Sequence, residues 1–101
     1  MTVETFKPEI EKALRVYEKF IVCINKTSDE FLVSVERLMK KAIDAYLNRA
    51  PDLRHGIALD NHITIIISQN DSGERPLCGI YFNLFSPYAE KVHLKKKNHQ
   101  N

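Results

Sequence analysis

Residues 62–68 read HITIIIS and residues 77–86 read LCGIYFNLFS, and neither stretch contains Asp, Glu, Lys or Arg. Both are short and rich in β-branched or aromatic residues, which favour strands. The cluster Asn-Asp-Ser-Gly at 70–73 lies between them and favours a turn. The two stretches therefore predict a β-hairpin, and this hairpin decides the architecture of the chain.

A shorter strand is predicted before the hairpin. Residues 56–59 are mainly apolar, and Asp60-Asn61 then form a tight turn that leads into His62. We expect an antiparallel sheet of two or three strands.

Alternation along the strands predicts apolar residues on both faces of this sheet. In the first strand Ile63, Ile65 and Ile67 are predicted to point one way and Ile66 the other. In the second strand Cys78, Ile80, Phe82 and Leu84 are predicted to lie opposite Leu77, Tyr81 and Phe85. The sequence does not fix which of these sets share a face. Two helices can cover one face of a small sheet. The second face then stays apolar with little of the chain left to cover it, which is typical of an interface.

The N-terminal half predicts two helices. Apolar residues recur at steps of three and four from Ile10 to Ile24, with Val16 and Cys23 widening that face, and Asn25 ends the helix. Thr27 and Glu30 form a capping box that starts a second helix. The apolar face of this second helix is predicted to consist of Phe31, Val35, Leu38, Met39, Ala42, Ile43 and Tyr46.

The linker between the two helices is short, which favours an antiparallel helical hairpin, and Pro51 stops the second helix. The predicted fold class is α+β, with the helical hairpin followed by the antiparallel sheet. Ser86-Pro87 could start a short helix over 87–94, although Val92 to Lys95 alternates like a strand.

The length of 101 residues predicts one domain, which we place at 1–94. Residues 95–101 are expected to form a disordered basic tail. From 91 onward the chain carries four lysines and no acid, whereas residues 1–90 hold 11 basic and 13 acidic side chains. The body therefore gives no indication of a nucleic-acid surface.

Cys23 and Cys78 lie in apolar runs, and we expect buried free thiols in a cytoplasmic protein. The N-terminus has no basic stretch followed by an apolar core, so no signal peptide is expected, and no apolar run is long enough to span a bilayer. Cys78 or Ser68 could act as a nucleophile with His62 as base. The apolar neighbours of Cys78 favour a packed thiol instead.

Arg54, His55, Asp60 and His62 are the densest polar group and could bind a metal or perform acid–base chemistry. Their spacing matches no known ligand pattern. We therefore expect no metal, no cofactor and no catalytic residue, and a small enzyme or metal protein is the third hypothesis.

The first hypothesis is a small non-enzymatic protein-binding module of a regulatory, inhibitor or immunity type. Its partner is another protein or a second copy in a homodimer, with no membrane or small molecule involved. The candidate partner-binding residues are Tyr81, Phe85 and Tyr88, because aromatic side chains dominate interface energetics. The alternative is a nucleic-acid-binding accessory protein that uses Lys91, Lys95, Lys96 and Lys97.

Overall fold

The structure, a computed structural model, describes residues 1–48, 55–69 and 75–83, with residue 55 described in its backbone. A 3-10 turn at Val3–Phe6 precedes three α-helices and three strands. The helices are α1 (Lys7–Val16), α2 (Glu18–Cys23) and α3 (Ser28–Asn48). The strands are β1 (His55–Leu59), β2 (Ile63–Ser68) and β3 (Leu77–Phe82). Within these residues the chain is an α+β protein, as predicted.

The capping box predicted before α3 is present. The Thr27 backbone N–H donates to Glu30 Oε1 at 3.0 Å, and the Glu30 N–H donates to the Thr27 hydroxyl at 3.1 Å. These two bonds satisfy backbone donors that the first turn leaves without partners. The bond from the Thr27 backbone N–H to the carboxylate is the largest cause that lowers the pKa of Glu30, and the Thr27 side chain adds to it.

The loop before α3 is set by Asn25, which has a left-handed φ of 61°. The Lys26 N–H donates to the Ile21 carbonyl at 3.2 Å, and the Asn25 N–H donates to the Val22 carbonyl at 3.0 Å. This pair of bonds is a Schellman motif, in which Asn is one of the few residues that tolerate positive φ. Asn25 therefore ends α2, as the sequence predicts.

The N-terminal helical segment is bent at Tyr17, which separates α1 from α2 with φ of −100° and ψ of 12°. The bend brings Tyr17 and Phe20 onto β3, where their rings lie 5.8 and 5.3 Å from the ring of Phe82. The predicted antiparallel helical hairpin is not confirmed, because this segment packs on the sheet as well as on α3.

The sheet is antiparallel with the strand order β1-β2-β3. Ile65 pairs with Ala58 on one side and with Ile80 on the other. Partners that lie directly opposite share a face, so this register separates the strand residues into two sets. We call the face that α3 contacts the inner face and the opposite one the outer face.

One core lies between the inner face and the helices. Ile63, Ile65 and Ile67 are buried in β2, and Phe82 is buried in β3. The predicted apolar face of α3 is buried from Phe31 to Ile43, with Tyr46 half-buried beside it. The periodicity of α3 therefore identifies its buried face correctly, and the alternation of β2 correctly groups Ile63, Ile65 and Ile67 on one face.

Two expectations for the first helical segment are wrong. Val16 and Cys23 were predicted to widen its buried face, and both are exposed. The other members of the predicted stripe, from Ile10 to Ile24, are buried or half-buried on both sides of Tyr17, so the periodicity itself is confirmed. No helix among the described residues is both long enough and apolar enough to cross a membrane. The segments predicted at 87–94 and 95–101 lie outside the described residues.

Candidate functional site on the outer face of the sheet

The outer face is a grid of three rows that cross the strands. The rows are Leu59–Thr64–Tyr81, Ile57–Ile66–Gly79 and His55–Ser68–Leu77. None of these positions holds Asp, Glu, Lys or Arg. A solvated face of an antiparallel sheet ordinarily alternates polar residues with the apolar ones of the core. The outer face therefore lacks the composition of a surface that faces water.

The apolar side chains of this face are exposed. The exposed fractions are 45% for Ile57, 65% for Leu59, 57% for Leu77 and 52% for Tyr81. These residues come from both edge strands, so they frame the face rather than lie in one corner. Contiguous exposed apolar surface of this kind marks interaction sites.

Tyr81 lies across Gly79, its neighbour two positions earlier on the same face. A Cβ atom built on Gly79 would lie 2.5 Å from the Tyr81 hydroxyl oxygen and 2.7 Å from its Cζ atom. The ring therefore occupies the space that a side chain at 79 would fill. A large aromatic group, 52% exposed, therefore covers the position of Gly79 on this face.

The structure places one of the three predicted partner-binding residues. Tyr81 is on the outer face, while Phe82 is in the core, as alternation predicts. Phe85 and Tyr88 lie outside the described residues. The four lysines of the alternative hypothesis, Lys91, Lys95, Lys96 and Lys97, lie outside them as well.

We call the polar group Arg54, His55, Asp60 and His62 the histidine loop. Within it, Asp60 has a structural role. Asp60 Oδ1 accepts the backbone N–H groups of His62 and Ile63, both at 2.7 Å. Asp60 Oδ2 lies 3.7 Å from the Arg37 guanidinium. This aspartate therefore forms the β1–β2 turn with its own chain, as Asp residues in turns commonly do.

Register separates the two histidines of the loop. Position 55 pairs with Ser68 at one end of β1, whereas His62 follows the turn at the other end. Four residue steps of strand separate position 55 from Leu59, which is about 13 Å. The described residues contain no group of three or more side chains that could hold a metal ion. Arg54 lies outside the described residues.

Asn83 is a residue that the sequence did not single out, and it holds the same turn from β3. Its amide nitrogen donates to the Asp60 carbonyl at 2.7 Å, and its side-chain oxygen accepts the Thr64 hydroxyl. Its backbone N–H donates to the His62 carbonyl at 2.7 Å. In the sequence, the feature that could have indicated this role is the single amide side chain of Asn83 within the apolar run 77–86.

His62 packs against the core rather than against a nucleophile. Its ring centroid lies 6.2 Å from that of Phe82, and its buried Nδ1 has no hydrogen-bond partner among the described residues. Cys78 pairs with Ile67, several positions away along the sheet. Ser68 pairs with Leu77 at the far end. The register therefore brings neither nucleophile candidate to His62.

Cys78 is a packed thiol. Its Sγ lies 3.9 Å from Met39 Sδ. Burial, with a smaller contribution from the Glu9 carboxylate, raises the pKa of Cys78 from 9.0 to about 12. A thiol with this pKa stays protonated at neutral pH, and the protonated form is a poor nucleophile.

A groove of about 310 Å³ lies between α1 and β3. Glu9 and Tyr81 line it, and Tyr17 crosses it to donate its hydroxyl to the Ile80 carbonyl at 3.2 Å. Glu9 Oε1 lies 3.4 Å from the Arg75 guanidinium, while Oε2 is buried without a hydrogen-bond partner in the described part of the chain. The groove is narrow and is crossed by its own side chains, so the open outer face is the stronger candidate.

The chain matches no protein-family model, no curated protein and no solved structure at significant similarity. The function of this chain is therefore inferred from the geometry of the outer face.

Proposed function

We propose that this protein is a small non-enzymatic binding module whose outer sheet face binds another polypeptide. The observation that carries the proposal is the absence of charged residues from a face that presents exposed Ile57, Leu59, Leu77 and Tyr81. Regulatory, inhibitor and immunity-type proteins of this size work in this way. The exposed thiol of Cys23 is compatible with the reducing cytoplasm, where we place the protein.

Tyr81 is the central anchor in this proposal. It offers a large aromatic surface on the outer face of the sheet. Its ring lies against Gly79 before any partner binds. Aromatic side chains with few rotors contribute most of the energy in many interfaces. Phe85 and Tyr88, outside the described residues, remain the other two candidate partner-binding residues of this proposal.

The experiment uses the full-length protein to capture a partner from native cell extract, with Tyr81→Lys and Val33→Lys compared. Val33 is a matched control, because it is 65% exposed but lies on α3, away from the sheet. We expect Tyr81→Lys to weaken capture by more than about 2 kcal/mol, which is roughly 30-fold, and Val33→Lys to leave it unchanged.

Circular dichroism and the melting temperature distinguish binding from folding in these variants. Capture that Tyr81→Lys does not weaken would refute the proposal. A Tyr81→Lys protein that loses stability instead of binding would also refute it, because the outer face would then be covered by the protein's own chain.

A further inference from the structure

We infer that the β1 edge of the sheet pairs with the β1 edge of a second copy, which joins two sheets into one of six strands. The partner is a second copy of this chain, and the contact is made by the backbone of residues 55–59. The part of this inference that uses the area of the outer face rests on the proposed function. The part that uses the free backbone groups of β1 is independent of it.

The free groups of β1 follow from its pairing with β2. The Asp60 N–H donates to the Ile63 carbonyl at 2.9 Å, which closes the β1–β2 turn. Because antiparallel pairs alternate between bonded and non-bonded positions, Ala58 and Gly56 bond to β2. The backbone groups of residues 55, 57 and 59 therefore point away from the sheet. No described residue donates to them or accepts from them outside that ladder.

The opposite edge of the sheet is protected differently. The same alternation points the backbone of Ile80 outward from β3, and its carbonyl accepts the Tyr17 hydroxyl at 3.2 Å. Helix α1 packs alongside this strand. β1 carries no Lys, Arg, Asp, Glu or Pro, which are the residues that ordinarily prevent an edge from pairing.

The outward groups of β1 are self-complementary. An antiparallel pairing with its two-fold axis at Ile57 places Ile57 opposite its symmetry mate and residue 55 opposite Leu59. All outward groups are then paired, which gives about six hydrogen bonds for two strands of this length. On the inner face, Gly56 then lies opposite Ala58, so the seam beneath α3 contains the smallest side chains of the strand.

The area of the outer face also favours the joined sheet. Three strands about 4.8 Å apart and about 20 Å long give a face of about 290 Å². A stable protein–protein interface needs about 800 Å² per partner. Two joined sheets present about 580 Å² of continuous face, and this approaches the requirement. Pairing through β1 therefore doubles the continuous face that the proposed function uses.

The first experiment needs no variant. Sedimentation of the full-length protein from micromolar to millimolar concentration measures the dimer, and amide exchange by NMR measures the Ile57 and Leu59 N–H groups. We expect both amides to become protected as the dimer forms. A protein that stays monomeric at 1 mM with unprotected amides would overturn the inference. Protection that does not depend on concentration would overturn it too, because the chain would then cover its own edge.

The second experiment uses Ile57→Pro, which removes an outward N–H while leaving the β1–β2 hydrogen bonds in place. We expect the dissociation constant to rise at least tenfold, because each copy loses a donor and gains a bulky ring at the seam. Ile57→Lys is the second variant, since it sets like charges directly opposite each other. Circular dichroism confirms that each variant is folded.

Tyr81→Lys separates this inference from the proposed function, because Tyr81 lies on β3 at the opposite side of the sheet. We expect Tyr81→Lys to remain a dimer and to lose the partner. A dimer that Tyr81→Lys dissociates and that both Ile57 variants preserve would overturn the edge pairing and leave the outer face as the site of association.

Discussion

The close contact between α3 and β1 at Gly56 gives a sharp test of which face of the sheet is covered. A Cβ atom at Gly56 would overlap the Ala42 carbonyl oxygen and would lie 2.8 Å from the backbone nitrogen and the Cβ of Tyr46. The three atoms nearest to a Cβ at Gly79 all belong to the Tyr81 side chain, and Tyr81 is 52% exposed. Gly56→Ala and Gly79→Ala thus add the same methyl group to opposite faces.

The expected effects differ because the obstacles differ. At position 56 the obstacle is the backbone of α3, so the helix must retreat by about 0.5–1 Å and loses a quarter to a half of the attraction in each affected contact. We expect Gly56→Ala to lower the free energy of unfolding by about 3 kcal/mol, the upper end of ordinary overpacking. At position 79 the Tyr81 ring can rotate into solvent, and the alanine restricts the unfolded chain. We expect a change below about 1 kcal/mol there.

Urea and thermal unfolding followed by circular dichroism measure the difference. A gap of at least about 2 kcal/mol corresponds to about 8–16 °C in melting temperature for a domain of this size. Equal stability of the two variants would refute the reasoning, because α3 would then not be seated on β1. Gly79→Ala has a further use, since it displaces the Tyr81 ring and should weaken partner capture without unfolding the protein.

Two further predictions concern the turn and the thiol. Asp60→Ala leaves the His62 and Ile63 N–H groups without their acceptor and should cost about 1–3 kcal/mol in urea unfolding, whereas Asp60→Asn keeps the oxygen and should cost less than about 1 kcal/mol. Equal losses would mean that the charge, and not the turn, is what Asp60 supplies. In the folded protein at pH 8, iodoacetamide should label Cys23 and spare Cys78, as read by mass spectrometry, because Cys23 is exposed and burial raises the pKa of Cys78 to about 12. The Cys78 thiol ionises at a lower pH in the unfolded chain than in the folded protein. Its contribution to the free energy of unfolding is therefore complete below pH 9 and is lost as the pH rises toward 12. Unfolding at pH 8 and 10.5 should show a smaller decline in Cys78→Ala, and an identical decline would contradict the assignment.

The strands and the long helix could be predicted because local pattern and tertiary burial agree there. Alternation in 63–68 places Ile63, Ile65 and Ile67 on one face, and the structure buries all three. The capping box and Asn25 identify the ends of two helices through local hydrogen bonds, which depend on few residues. Signals of this kind need no knowledge of distant contacts.

The bend at Tyr17 could not be predicted, because its cause is distant in sequence. The Tyr17 backbone keeps its bonds to Ala13 and Ile21, while its hydroxyl donates to the carbonyl of Ile80, 63 residues later, and its ring packs on Phe82. The role of Asn83 could not be predicted for the same reason, because it depends on the β1–β2 turn lying beside the end of β3. Strand register places position 55 and His62 at opposite ends of β1, and the sequence does not fix that register.

The outer face and the β1 edge together lack both of the devices that keep a sheet in solution as a single copy. Asp, Glu, Lys and Arg are missing from the face, and Lys or Pro is missing from the edge. The opposite edge shows that the chain can protect a strand when its position requires it, since α1 and the Tyr17 hydroxyl cover β3. The helical layer is therefore placed asymmetrically, over the inner face and the β3 side. The remaining surfaces, Ile57 and Leu59 on the edge and Tyr81 on the face, are where a second polypeptide would replace water.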